Sequence, residues 1–147
     1  MQISEQFSFL NVLCNKMCDT PNIQFCGVVN SMGNLIAGSF RDGIQTIFDN
    51  IQKEMLYMQS RLEISMKAEF DALFGYVDHI ITQRKNAVII RIPLQNQQSH
   101  LFIYAEKSAD VKKIIDNALD LFVNNRRKKN LTQITNLHSD GFNATLT

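Results

Sequence analysis

Ile23-Gln24-Phe25-Cys26-Gly27-Val28-Val29-Asn30-Ser31-Met32-Gly33-Asn34-Leu35-Ile36-Ala37-Gly38, residues 23–38, is the stretch from which the fold can be read. Its first seven residues are rich in β-branched and aromatic side chains, as a buried strand requires. Met32-Gly33-Asn34 breaks the run with a tight turn, in which Gly33 can take the positive φ that other residues resist. Leu35-Ile36-Ala37-Gly38 then reads as the returning strand. A hairpin therefore spans residues 23–39, and the elements on either side must be arranged around it.

Upstream, Pro21 and Asn22 end a helix that starts at Ser4 as N-cap and carries Phe7, Leu10, Cys14 and Met17 in one stripe. Downstream, Phe40-Arg41-Asp42-Gly43 opens a loop, and a long helix runs from Asp49 until Gly75 closes it. On that helix Ile51, Met55, Met58, Leu62, Met66 and Phe70 recur every three or four residues, a broad apolar stripe expected to face the core. Tyr57, Ile64 and Ala68 form a narrower stripe roughly opposite. A helix apolar on two sides has two neighbours, either two parts of its own domain or one part and a second copy.

Three strand candidates follow, Tyr76 to Gln83, Ala87 to Leu94 and Leu101 to Glu106. The links Arg84-Lys85-Asn86 and Gln95 to His100 are short enough for antiparallel hairpins. Val88-Ile89-Ile90-Arg91-Ile92 is almost continuously apolar, as in a central strand covered on both faces. Ser108 caps a last helix with Val111, Ile114, Ile115, Ala118, Leu119 and Phe122 on one side. The order α-β-β-α-β-β-β-α defines an α+β fold class, one sheet with helices on its faces.

The chain has 147 residues, enough for one domain over residues 1–125, followed by a basic, then polar tail over 126–147 that is expected to be flexible. Hydrophobic residues at 45% and charged residues at 20% exclude the composition of a disordered chain. No apolar run reaches membrane-spanning length and the start lacks a basic leader, so no membrane association is expected. Three cysteines favour reduced thiols and a cytoplasmic setting. Acidic residues outnumber basic ones in the body, so it is not a polyanion binder. Polyanion contact falls to Arg126, Arg127, Lys128 and Lys129. With no aromatic residues interleaved, that run reads better as a solvated helix end whose cations suit the negative pole, and nucleic acid is not the expected partner.

No motif demands catalysis. Cys14, Cys18 and Cys26 can converge, but without a C-x-x-C spacing or a fourth ligand they read as buried thiols, and no metal is assigned. His79, His100 and His138 fall on a strand, a loop and the tail. Asp78 and His79, as strand neighbours, point to opposite faces and do not serve each other. No phosphate-binding glycine pattern occurs, so neither a nucleotide enzyme nor any cofactor is implied.

The hairpin wording from Phe25 to Gly38 and the element order resemble the roadblock/dynein-light-chain fold, a relative of profilin-like domains. More narrowly, residues 5–123 are similar to an uncharacterised archaeal family, through Arg41-Asp42-Gly43, Met55 to Met58 and Glu69-Phe70-Asp71. The resemblance implies a five-stranded antiparallel sheet and a non-enzymatic domain. It also implies a homodimer formed through the long helix and the neighbouring strand, with a protein partner such as a small GTPase. Carried onto this chain, it makes Tyr57, Arg61, Ile64, Tyr76 and Asp78 interface candidates. The alternative is a PAS- or profilin-like sensor, holding a small molecule between the sheet and the Met-lined helix.

Overall fold

The computed structural model describes residues 2–41, 49–94 and 97–124, with only the backbone of residues 2–7. Helix α1 (Gln2–Met17) begins ahead of Ser4, which is therefore inside the helix and not its cap. Strands β1 (Ile23–Asn30) and β2 (Leu35–Phe40) form the expected hairpin. Its turn is held by Asn30, whose Oδ1 accepts from the N–H groups of Met32 and Asn34, both at 3.0 Å. Gly33 adopts φ 82° there, as the turn requires.

Helix α2 (Asn50–Lys67) starts with a capping box, in which Asp49 accepts from the Gln52 N–H and the Gln52 side chain accepts from the Asp49 N–H. A 3₁₀ turn (Ala68–Phe70) and a short helix α3 (Asp71–Phe74) continue it to Gly75. Strands β3 (Ile80–Gln83), β4 (Val88–Leu94) and β5 (Ser99–Ala105) come next. Helix α4 (Val111–Ala118) follows and runs on as a π-helical turn, Leu119–Asn124. Its cap is Asp110, which accepts from the Lys113 N–H; the sequence expectation of Ser108 was two residues early. Two strand bounds also move. Residues 75–79 form no strand, so Tyr76 and Asp78 lie before β3 in an irregular stretch, whereas His100 lies inside β5 and not in a loop.

All five strands pair antiparallel, in the spatial order β2-β1-β5-β4-β3. One face of this sheet packs against α1 and α4, burying Leu13, Cys14, Met17, Cys26, Val28, Ile90, Ile92, Ile103, Ile114 and Phe122. The other face is covered by α2 over Phe25, Val29, Tyr57 and Phe102. Here the Phe25 ring lies 4.5 Å from Phe40, 6.4 Å from Tyr57 and 6.3 Å from Phe102, between centroids. Room for that ring comes from Gly27, where an added Cβ would meet Phe25 and Leu35 atoms at 2.7 Å.

The two ends of the sheet are treated differently. Beside β2, α1 supplies acceptors: Asn11 Oδ1 accepts from the Gly38 N–H at 3.0 Å, and Asn15 Oδ1 from the Ser39 hydroxyl at 2.7 Å. Arg41 then fastens β2 to the end of α1, its Nε donating to Ile23 O at 2.8 Å and its Nη2 to Thr20 O at 2.7 Å and Cys18 O at 3.3 Å. Three carbonyls depend on one guanidinium. Arg41→Ala is expected to lower unfolding free energy by roughly 3 kcal/mol in urea titration, and Arg41→Lys to recover little of it, because an ammonium cannot span the fork.

Candidate functional site

Periodicity places two apolar stripes on α2 but does not say which one meets the sheet. The structure reverses the expectation. Tyr57 and Ile64 are only 8% and 0% exposed, with Ser60 buried between them, on the side of α2 that faces the sheet of the same chain. Neither is therefore available at the surface, which corrects their place among the interface candidates. The broad stripe instead faces outward: Ile51, Met55, Met58, Leu62, Met66 and Phe70 are all exposed, Leu62 at 54% and Met66 at 70%. Leu73, Phe74 and Tyr76 extend this surface beyond α2, and Phe70 and Phe74 touch with centroids 6.2 Å apart. A groove of about 550 Å³ runs along it between Leu62, Met66 and Phe70, with Gln59, Glu63 and Lys67 at its rim. Met55 and Met66 are exposed and Met58 lies against the β1–β2 turn at Gly33, so these methionines do not line the space between helix and sheet that the sensor alternative requires.

Beneath α2, polar groups gather that the apolar pattern did not reveal. Arg91 on β4 is 5% exposed and donates through Nη1 to Glu63 Oε2 at 2.8 Å and through Nη2 to Thr82 Oγ1. Its position within the Val88–Ile92 apolar run was the available signal, since a cation in a central strand needs a buried partner. His100 on β5 is 0% exposed, and neither ring nitrogen has a hydrogen-bond partner. Burial first, then the positive charges of Arg61 and Arg91, lower its pKa to about 3, so the ring is neutral at pH 7. Arg61 sits on α2 above this group and lines a polar cleft of about 530 Å³ together with Ser31, Ser65, Asp71, Tyr76, Gln97 and Gln98.

The remaining candidates do not form a catalytic arrangement. Cys14, Cys18 and Cys26 are all buried and reduced, with the Cys18 thiol donating to Ser39 O at 3.3 Å. Burial raises the Cys26 pKa well above its ordinary value, and the neighbouring Cys14 and Cys18 raise it further. A thiol held neutral in this way is a poor nucleophile and a poor metal ligand. Among the described residues no group of His, Cys, Asp and Glu is placed to hold a metal ion. Asp78 and His79 are exposed ahead of β3. Asp42, Gly43 and the tail with Arg126, Arg127, Lys128 and Lys129 lie outside the described residues. Among the described residues no helix is long and apolar enough to cross a membrane.

With this geometry in view, comparison with solved structures identifies the fold. The chain is similar to a roadblock/LC7 domain from Streptomyces avermitilis, with a TM-score of 0.65 at 12% identity, covering 80% of this chain and 94% of that one. It is similar to the gliding protein MglB from Thermus thermophilus, with a TM-score of 0.68 at 7% identity, covering 80% and 85%. It also resembles MglB in a tetrameric arrangement, with a TM-score of 0.65 at 8% identity, covering 76% and 81%. No family model and no curated protein matches the sequence, so the narrower likeness to an archaeal family has no support. The fold is roadblock-like: an α+β domain built on one five-stranded antiparallel sheet with helices on both faces.

Proposed function

We propose that the chain is a non-enzymatic regulatory domain of roadblock type. In this reading it pairs with a second copy through the outer face of α2 and the free edge at β3, and offers its remaining surface to a protein partner such as a small GTPase. The observation that carries the proposal is the row of exposed apolar side chains from Ile51 to Phe70, continued by Leu73, Phe74 and Tyr76. Contiguous apolar surface of this kind marks an association site. The sheet edges differ in the same sense: β2 has α1 acceptors beside it, while β3 ends the strand order at the other side of the sheet and is the edge left for pairing. Association of this fold is known for MglB, which has been seen in a tetrameric arrangement. Of the interface candidates read from sequence, Tyr76 stays exposed where this surface meets the polar cleft that Arg61 lines, Asp78 lies beside α4 with Val111 and Ile115, and Tyr57 and Ile64 are buried.

Sedimentation equilibrium tests the pairing. The wild-type chain is expected to be a dimer, and Leu62→Asp to weaken it at least about thirtyfold with an unchanged circular dichroism spectrum, since Leu62 contributes little to its own protomer's core. A wild-type monomer, or a Leu62→Asp variant that stays dimeric, overturns this reading of the α2 face.

A further inference from the structure

The polar cleft beside the second half of α2 has a property that a surface depression does not need. Three of the side chains lining it carry buried polar atoms without any hydrogen-bond partner: Nε and Nη1 of Arg61, Oδ1 of Asp71 and Nε2 of Gln97. Leaving such atoms unpaired is costly, most of all for a guanidinium, and folded proteins rarely tolerate several in one place. The opposite charges of Arg61 and Asp71 are in the same cleft, yet among the described residues the one ion pair is that of Arg91 with Glu63. Arg61 and Asp71 therefore do not satisfy each other.

The arrangement has direction. Donors stand together at Arg61 and Gln97, an acceptor stands at Asp71, and the hydroxyls of Ser31, Ser65 and Tyr76 line the same space. Ala68 adds an apolar patch of wall. Below, His100 presents a neutral ring and adds no second positive charge, while Arg91 is already engaged by Glu63. A simple anion would be attracted by Arg61 and repelled by Asp71, and a simple cation the reverse. A molecule that carries both charges a few ångströms apart meets neither objection.

We propose that this cleft binds a small zwitterion of the α-amino-acid class, its carboxylate held by Arg61 and Gln97 and its ammonium group by Asp71. Arg61 suits this role because its guanidinium has donors, Nε and Nη1, that no protein group accepts, and a hydrogen bond from a guanidinium to a carboxylate is charge-assisted. The Tyr76 ring and Ala68 are the surfaces against which the ligand's side chain rests. The site shares Tyr76 with the end of the outward apolar surface, but Arg61, Asp71 and Gln97 are not among the apolar residues of the proposed pairing, so variants at those positions test the cleft apart from it.

The test is a thermal unfolding screen on the full chain with each of the common L-amino acids, using propionate and ethylamine as the two halves of alanine. At about ten times its Kd, a binding amino acid is expected to raise Tm by roughly 5 °C, while neither half does so alone. Arg61→Met should abolish this shift, while the ligand-free Tm stays equal or rises, because an unpaired buried charge has been removed. Asp71→Asn should lose the preference for the amino acid over propionate. The proposal is overturned if no amino acid shifts the wild-type Tm, if the shift persists in Arg61→Met, or if inorganic phosphate matches the best amino acid.

Discussion

Ile64→Asp is expected to unfold the domain and not merely to separate two copies of it. Ile64 is 0% exposed on the face of α2 that meets the sheet, and the substitution removes its apolar burial while forcing a carboxylate into the same space. The combined loss is about 3 kcal/mol or more, a large part of the stability of a domain of this size. Urea titration and limited proteolysis of Ile64→Asp beside Leu62→Asp make the contrast direct. The two positions are neighbours on one helix and differ in which way they face. Ile64→Asp should melt early or fail to accumulate, and Leu62→Asp should lose only what pairing contributes, a difference from wild type that shrinks as the protein is diluted. Equal stability of both variants would show that α2 is seated on the sheet in another orientation.

The second large effect is expected in acid. In the unfolded chain His100 titrates near its ordinary value of 6.5, whereas in the folded protein its pKa is lowered to about 3, chiefly by burial and then by Arg61 and Arg91. Above pH 6.5 the ring is neutral in both states and makes no difference. As pH falls from 6.5 towards 3, the unfolded chain takes up a proton that the folded one refuses, so stability present at neutral pH is progressively lost. By pH 4.5 the loss attributable to this residue is about 3 kcal/mol. His100→Leu removes both the titration and two unpartnered nitrogens, so its urea midpoint should fall less between pH 7 and pH 4.5 than that of the wild type. Parallel declines for the two proteins would mean that His100 is not held neutral.

These two experiments share a cause, because both residues lie under α2, where sequence reasoning was weakest. The element order, the hairpin at 23–39 and the burial of Ile114, Ala118 and Phe122 on α4 were legible directly, since each rests on a local pattern that a chain cannot satisfy in another way. Turn chemistry at Gly33 and apolar spacing at 3.6 residues act within a few positions of sequence. Smaller misplacements, such as Ser108 for Asp110 as cap, or Tyr76 for Ile80 as the start of β3, also stay local.

Orientation of α2 is a different kind of question. Its broad stripe from Ile51 to Phe70 is the more apolar and still lies outside, while the narrower side with Tyr57, Ser60 and Ile64 is buried. The decision is made across the sheet: Phe25, Phe40 and Phe102 are drawn from three different strands, and Tyr57 completes their cluster edge-on to Phe102 at 5.6 Å. Small Ser60 sits on the same buried side, and Arg91 reaches up from β4 to Glu63. None of these partners is near α2 in sequence. Local spacing thus determined that this protein has a two-sided helix over an antiparallel sheet. Only the tertiary structure decided which side is core, which is surface, and that Arg61, Asp71 and Gln97 meet in one cleft, because packing and charge burial depend on contacts between residues that the chain keeps far apart.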